Sequence, residues 1–266
     1  MPELPEVETI ARGLARSVSG RTIRGVDVAW QRTVDPRGLA ARTLDGETIA
    51  GVRRLGKYVL FDLRSGRHVA VHLRMTGRLI ADPSTALPHT RLSLRFADGG
   101  ALVFSDARKF GRWRIFDGDP QAELGTGIDP FDPELTSARL HALLRGRRTK
   151  IKTWLLDQRR LSGVGNIYAC EALYLARIRP NVAAGRLTRA QAAALLSSLR
   201  KVLRKAIFYR GSSVDDYVDG AGMPGEFQKK LAVYGRGGLP CRRCKTAIRR
   251  VVLAQRGTFF CPVCQH

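Results

Sequence analysis

The sequence predicts an α+β chain of two domains. An antiparallel β-sandwich flanked by helices comes first, followed by a helical domain with a helix–two-turn–helix and a β-hairpin carrying four cysteines. Three observations lead there. Between Thr22 and Phe116, β-forming apolar residues come in short runs punctuated by Gly, Asp and Ser, as at Arg64-Ser65-Gly66 and Asp98-Gly99-Gly100. After Ser137 the apolar spacing becomes helical. The chain closes with Cys241-Arg242-Arg243-Cys244, sixteen residues, and Cys261-Pro262-Val263-Cys264.

The first element is an amphipathic helix over 5–18. Val7, Ile10, Ala11, Leu14 and Val18 share a face, Pro5 suits the first turn, Glu6 and Glu8 complement the positive end of the dipole, and Gly20 stops it. Strands are predicted over 23–28, 48–52, 58–63, 69–73, 92–96, 102–104 and 113–116. Residues 117–133, rich in Gly, Pro and Asp, read as a linker. Helices are predicted over 137–145, 151–158, 166–176 and 188–209. Between the second and third, Leu161-Ser162-Gly163-Val164-Gly165-Asn166 allows two tight turns with Asn166 as N-cap. The basic run from Arg145 to Lys152 precedes it, and such a flank can seat a DNA phosphate on backbone N–H groups. Residues 211–227, rich in Gly and Ser, form a long loop of the kind that is functional or disordered. Expected domain limits are 1–130, 131–235 and 236–266.

Composition limits the function. Among 266 residues, 46 Lys and Arg oppose 23 Asp and Glu, a formal charge of +23 with a pI near 11.0, which points to a polyanion and first to nucleic acid. A hydrophobic content of 44% supports a full core and excludes general disorder. There is no 18-residue apolar run, and the acidic N-terminus lacks a signal-peptide apolar region, so a cytoplasmic protein without disulfides is expected.

The two C-x2-C pairs match a four-cysteine zinc site of Cys241, Cys244, Cys261 and Cys264, whose metal would order a segment too short for its own core. Arg256, near the tip of the intervening hairpin, would be placed by that brace. Cys170 lies outside the pairs and reads as a small core residue. At the other end, removal of Met1 would expose the secondary amine of Pro2. An α-amino group has an ordinary pKa of about 7.7–8.0, so it can be a neutral nucleophile near neutrality. Its attack on an aldehyde-level carbon gives an iminium, an electron sink, and Glu3 alongside could move the proton.

The combination resembles the formamidopyrimidine-DNA glycosylase family over essentially the whole chain. The residues that carry the resemblance are Pro2-Glu3-Leu4-Pro5-Glu6-Val7-Glu8-Thr9, Leu55-Gly56-Lys57-Tyr58, His72-Leu73-Arg74-Met75, Asp106-Ala107-Arg108-Lys109-Phe110-Gly111, Gly163-Val164-Gly165-Asn166-Ile167-Tyr168 and the finger. It implies a monomer of bacterial type, cytoplasmic and nucleoid-associated, acting on damaged double-stranded DNA with one structural Zn2+. By the same resemblance Pro2 attacks C1′ of the damaged nucleotide, Glu3 serves as general acid and base, Lys57 assists β-elimination and Arg256 assists δ-elimination. Met75, Arg108 and Phe110 match the residues that fill the hole left by a flipped nucleotide, and His89, Arg147, Arg148, Lys152 and Asn166 match or adjoin phosphate contacts. Flipping itself costs roughly a few kcal/mol, and an apolar wedge such as Phe110 suits the vacated step. Two alternatives stand beside this reading: an endonuclease VIII-type enzyme for oxidised pyrimidines, and a non-catalytic zinc DNA-binding protein. The acidic Val214-Asp215-Asp216-Tyr217 departs from the basic residue that family members often carry at the position of Asp215.

Overall fold

The computed structural model describes residues 1–213, 217 and 223–266; the acidic Asp215 lies outside them. The chain divides into two compact units, Met1–Gly125 with Tyr209–Gln228, and Thr126–Phe208 with Lys229–His266.

In the first unit, helix α1 (Leu4–Val18) is followed by eight strands: β1 (Ile23–Val28), β2 (Ile49–Leu55), β3 (Tyr58–Leu63), β4 (His68–His72), β5 (Arg78–Ala81), β6 (Thr90–Phe96), β7 (Ala101–Ser105) and β8 (Arg112–Phe116). They form two four-stranded antiparallel sheets, ordered β1-β6-β7-β5 and β2-β3-β4-β8. One continuous core draws on both sheets: Ile23, Leu92, Leu94 and Phe104 from the first, Val59, Phe61, Val71 and Trp113 from the second. The apolar face of α1, Val7, Ile10, Leu14 and Val18, joins it as the helix packs on β2 and β3. The predicted sandwich is therefore present, with one strand more than expected: β5 offers only a four-residue run in which Leu79 alone is fully buried.

The stretch expected as a linker contains a short helix, α2 (Pro120–Leu124). Asp119 caps it by accepting from the Ala122 N–H at 2.8 Å, and Gly125 ends it in the left-handed region. Leu124 packs against Leu60, Ala70 and Phe116 on the outer face of the second sheet.

The second unit holds α3 (Ser137–Leu144), α4 (Ile151–Leu156), α5 (Asn166–Leu175) and α6 (Arg189–Phe208), then the hairpin of β9 (Arg249–Leu253) and β10 (Arg256–Phe260). α6 packs on α3 and α5, and Arg200 on α6 donates to the carbonyls of Pro130, Asp132 and Leu135. The buried Glu171 of α5 accepts the N–H groups of Ala232, Val233 and Tyr234, each at 2.9 Å, which fixes the segment entering the finger. Cys170 is core, packed with Tyr174, Val233 and Ile248. Asn166 is not the N-cap of α5. Gly165 takes that place, and the Asn166 amide instead donates to the Gly257 carbonyl at 3.0 Å.

Candidate active site and DNA-contact surfaces

Pro2 and Glu3 are buried at the head of α1. The Glu3 N–H donates to Glu6 Oε2 at 2.8 Å, while Glu6 Oε1 accepts the Ser212 N–H at 2.7 Å, so one buried carboxylate holds both the start of the helix and the start of the 211–227 loop. Gly211, with φ +81, leaves no room for a Cβ beside that carboxylate.

Lys57 is 7% exposed in the two-residue turn between β2 and β3, where Gly56 takes a positive φ. A polar chain ties this turn to α1: Glu8 Oε2 accepts from Arg54 Nε at 2.8 Å, and Arg54 Nη1 donates to the Gly56 carbonyl at 3.3 Å. Burial alone would raise the Glu8 carboxyl, but the Arg54 and Arg12 guanidiniums hold it below its ordinary range. Beside Tyr58, His72 packs edge-on at 4.9 Å and its Nδ1 accepts the Arg74 N–H at 3.0 Å. Burial, with Arg74 and Lys57 adding positive charge, pushes the imidazole down to about 3, so it is neutral at physiological pH.

Met75, Arg108 and Phe110 come together on exposed loops. Arg108 Nη1 lies 3.1 Å from Met75 Sδ, and its guanidinium carbon is 5.0 Å from the Phe110 ring centre. Met75 and Phe110 are 42% and 49% exposed, which costs burial that a core residue would have gained. His89 is exposed on a neighbouring loop, with φ +60.

In the second unit, Arg147 and Arg148 are exposed on the loop after α3, which is tied down by the Gly185 N–H donating to the Arg147 carbonyl at 2.9 Å. Lys152 differs from its expected place among the phosphate contacts. It is fully buried, and its Nζ donates to Thr258 Oγ1 at 2.6 Å and to the Gly257 carbonyl at 3.2 Å. An ammonium so held has its donors directed into the protein, so the geometry corrects that expectation. Asn166 likewise spends its amide on Gly257.

Arg256 opens β10, opposite Leu253, just after a two-residue turn of Ala254 and Gln255 with φ +47 and +59. Its side chain is exposed, while the next two residues are pinned by Lys152 and Asn166. Behind it, the ligand sulfurs of Cys241, Cys244, Cys261 and Cys264 all lie within 4.8 Å of one another. The Cys244–Cys261 and Cys241–Cys264 sulfurs are 3.4 and 3.9 Å apart. A tetrahedral zinc with Zn–S distances of about 2.3 Å requires sulfurs roughly 3.8 Å apart, so the donor set fits one zinc ion. Backbone N–H groups of Arg243 and Cys264 point at the Cys241 and Cys261 sulfurs, as thiolate ligands require.

Three family models match along the chain: the formamidopyrimidine-DNA glycosylase N-terminal domain over residues 1–113, its H2TH domain over 126–218, and the zinc finger found in FPG and IleRS over 238–266. The chain belongs to the formamidopyrimidine-DNA glycosylase family. A formamidopyrimidine-DNA glycosylase of Chloroflexus aggregans is 46% identical over 271 residues, spanning 100% of this chain and 98% of the relative. One of Salinispora arenicola is 46% identical over 278 residues, spanning 100% and 96%. Among solved structures, the MutM (FPG) protein of Thermus thermophilus superposes with a TM-score of 0.89 at 40% identity, covering 99% of this chain and 98% of that one. Lactococcus lactis Fpg in complex with abasic-site DNA gives 0.89 at 36% identity, covering 99% of each chain.

Within this family member, two structuring contacts escaped the sequence reading, the Glu6 carboxylate on the Ser212 N–H and the Arg54 guanidinium on Glu8, because the partners are 206 and 46 residues apart. Among the described residues, no helix is long and apolar enough to cross a membrane.

Proposed function

We propose that this chain excises oxidised purines, 8-oxoguanine and formamidopyrimidines, from double-stranded DNA and then cuts the strand by β,δ-elimination. The observation that carries the reading is Pro2-Glu3 buried at the head of α1, in a chain whose family match extends from end to end. Once Met1 is removed, the Pro2 amine attacks C1′ of the flipped nucleotide and the base leaves with a proton that Glu3 can deliver. The C1′–O4′ bond then breaks as the ring oxygen takes a proton, and the resulting open-chain iminium makes the C2′ proton acidic. Its removal expels the 3′ phosphate, and a second elimination expels the 5′ phosphate, leaving a one-nucleotide gap with phosphates at both ends.

Lys57 would assist the first elimination and Arg256 the second. Met75, Arg108 and Phe110 would occupy the space the nucleotide leaves, and His89, Arg147, Arg148 and the backbone at Asn166 would hold phosphates. The zinc ion would brace the hairpin of Arg256 and take no part in the chemistry. In this scheme residues 1–130 carry the amine chemistry, 131–235 the helix–two-turn–helix and the loop 211–227, and 236–266 the finger, in a monomer of the bacterial cytoplasm acting at the nucleoid.

The test compares duplexes carrying 8-oxoguanine opposite cytosine and thymine glycol opposite adenine. Faster release from the first is expected. Preference for thymine glycol would instead place the chain with endonuclease VIII-type enzymes.

A further inference from the structure

Asp106 is 1% exposed, and both its backbone and its carboxylate are fully engaged. Its Oδ1 accepts from the Thr76 hydroxyl and from the Arg108 N–H at 3.2 Å, and its Oδ2 accepts from the Gly111 N–H at 2.7 Å. The Thr76 hydroxyl oxygen also accepts the Arg108 N–H, at 3.2 Å. On the backbone side, the Asp106 N–H donates to the His89 carbonyl at 3.0 Å, and its own carbonyl accepts from Arg91 Nε at 2.8 Å. Three loops meet at this one residue: the turn bearing Met75, the loop bearing His89 and the loop bearing Arg108 and Phe110. Gly77 and Gly111 complete the junction, since a Cβ at either would collide with the Phe104 ring beneath.

We infer that Asp106, with Thr76, is a positioning residue for opening the duplex: it holds Met75, Arg108 and Phe110 in one preformed wedge. This rests on the proposed reading of those three side chains as the groups that enter the DNA. The loops they stand on are short, and two of their residues, Arg74 and Lys109, take positive φ values of 55 and 61. A backbone in that region is strained for residues with side chains, and it persists where the surroundings determine it. The buried carboxylate supplies that determination. A wedge ordered in advance loses little conformational entropy when it replaces a base in the stack, and the flipped state is reached more often.

The test uses single-turnover excision of 8-oxoguanine from two substrates: a fully paired duplex, and the same strand with the lesion unopposed in a bulge, where no pair has to be opened. Asp106→Asn turns one acceptor into a donor facing N–H or O–H groups, and Thr76→Val deletes the bridging hydroxyl at nearly constant volume. Loss of a charged hydrogen bond of this kind corresponds to about 10- to 100-fold for Asp106→Asn on the paired duplex, with less than about threefold on the bulge; Thr76→Val shows the same pattern at about 3- to 10-fold. A 2-aminopurine beside the lesion should brighten more slowly with both variants. Equal slowing on both substrates, or no slowing on either, overturns the inference. Phe110→Ala, run in parallel, separates the two levels: full activity on the paired duplex would remove the wedge reading itself, whereas a slow Phe110→Ala beside a normal Asp106→Asn would remove only the role of Asp106. Should Asp106→Asn fail to fold by circular dichroism, the Thr76→Val comparison decides.

Discussion

Replacing Lys152 by Met should separate the two strand cuts. The Lys152 ammonium is fully buried and makes hydrogen bonds of 2.6 and 3.2 Å to Thr258 and Gly257, the residues that follow Arg256. Thr258 passes the constraint on, because its hydroxyl donates back to the Arg256 carbonyl at 3.1 Å. Methionine fills similar volume and removes the buried charge, so relief of its desolvation offsets part of the lost bonding and global stability should change little. The hairpin keeps the Asn166 bond to Gly257 at 3.0 Å. Both ammonium bonds are lost, and the shorter one, the charged hydrogen bond to Thr258, is worth about 1.5–3 kcal/mol, or about 10- to 150-fold in a step that needs Arg256 in one position. A 5′-labelled duplex with an abasic site resolves the products on a denaturing gel. The β-elimination product should accumulate and the δ-elimination product should appear late, with base excision nearly unchanged. An unaltered ratio of the two products, or equal slowing of both cuts, would refute this account of Lys152.

Metal analysis should find one zinc per chain, and its removal by a strong chelator should abolish DNA binding and the second elimination as the hairpin of Arg256 loses its order; a zinc-free protein that cuts normally contradicts this. His72 supplies a pH dependence. Its pKa falls from an ordinary 6.5 to about 3 on folding, so the neutral form is favoured in the native state. Stability from this group is fully present above about pH 6.5 and is lost as the pH falls toward 3, at up to about 1.4 kcal/mol per pH unit. Urea unfolding across that range should show a shallower decline for His72→Asn than for the unmodified chain, and parallel curves would exclude His72 as the cause.

Much of the fold was legible because short β-forming runs are separated by turn residues. Tyr58–Leu63 is such a run, buried at four of its six positions, and Ile23–Val28 mixes more buried with more exposed positions. Strand β5 was not legible, because four residues with a single fully buried side chain leave no run to detect. The helix α2 had a readable signal in Asp119-Pro120, a cap followed by a first-turn proline, obscured by the loop-like composition around it. The cysteine spacing transferred directly, since a metal dictates its donors locally. Asn166 and Lys152 show the opposite case. A capping amide and a lysine in a basic run are read as local features, yet both are claimed by the carbonyl of Gly257, about a hundred residues away in sequence. Asp106 was visible only as a letter within a motif, because its role depends on three loops that tertiary structure alone brings together.

The central claim is that the amine of Pro2 forms a bond with deoxyribose C1′. Borohydride reduction of the protein with a duplex containing an abasic site, followed by proteolysis and mass spectrometry, tests it directly. The account predicts a covalent adduct on an N-terminal peptide beginning with Pro2, and none with Pro2→Gly at comparable DNA binding. An adduct on a lysine side chain, or full activity in a fraction that still carries Met1, would contradict it.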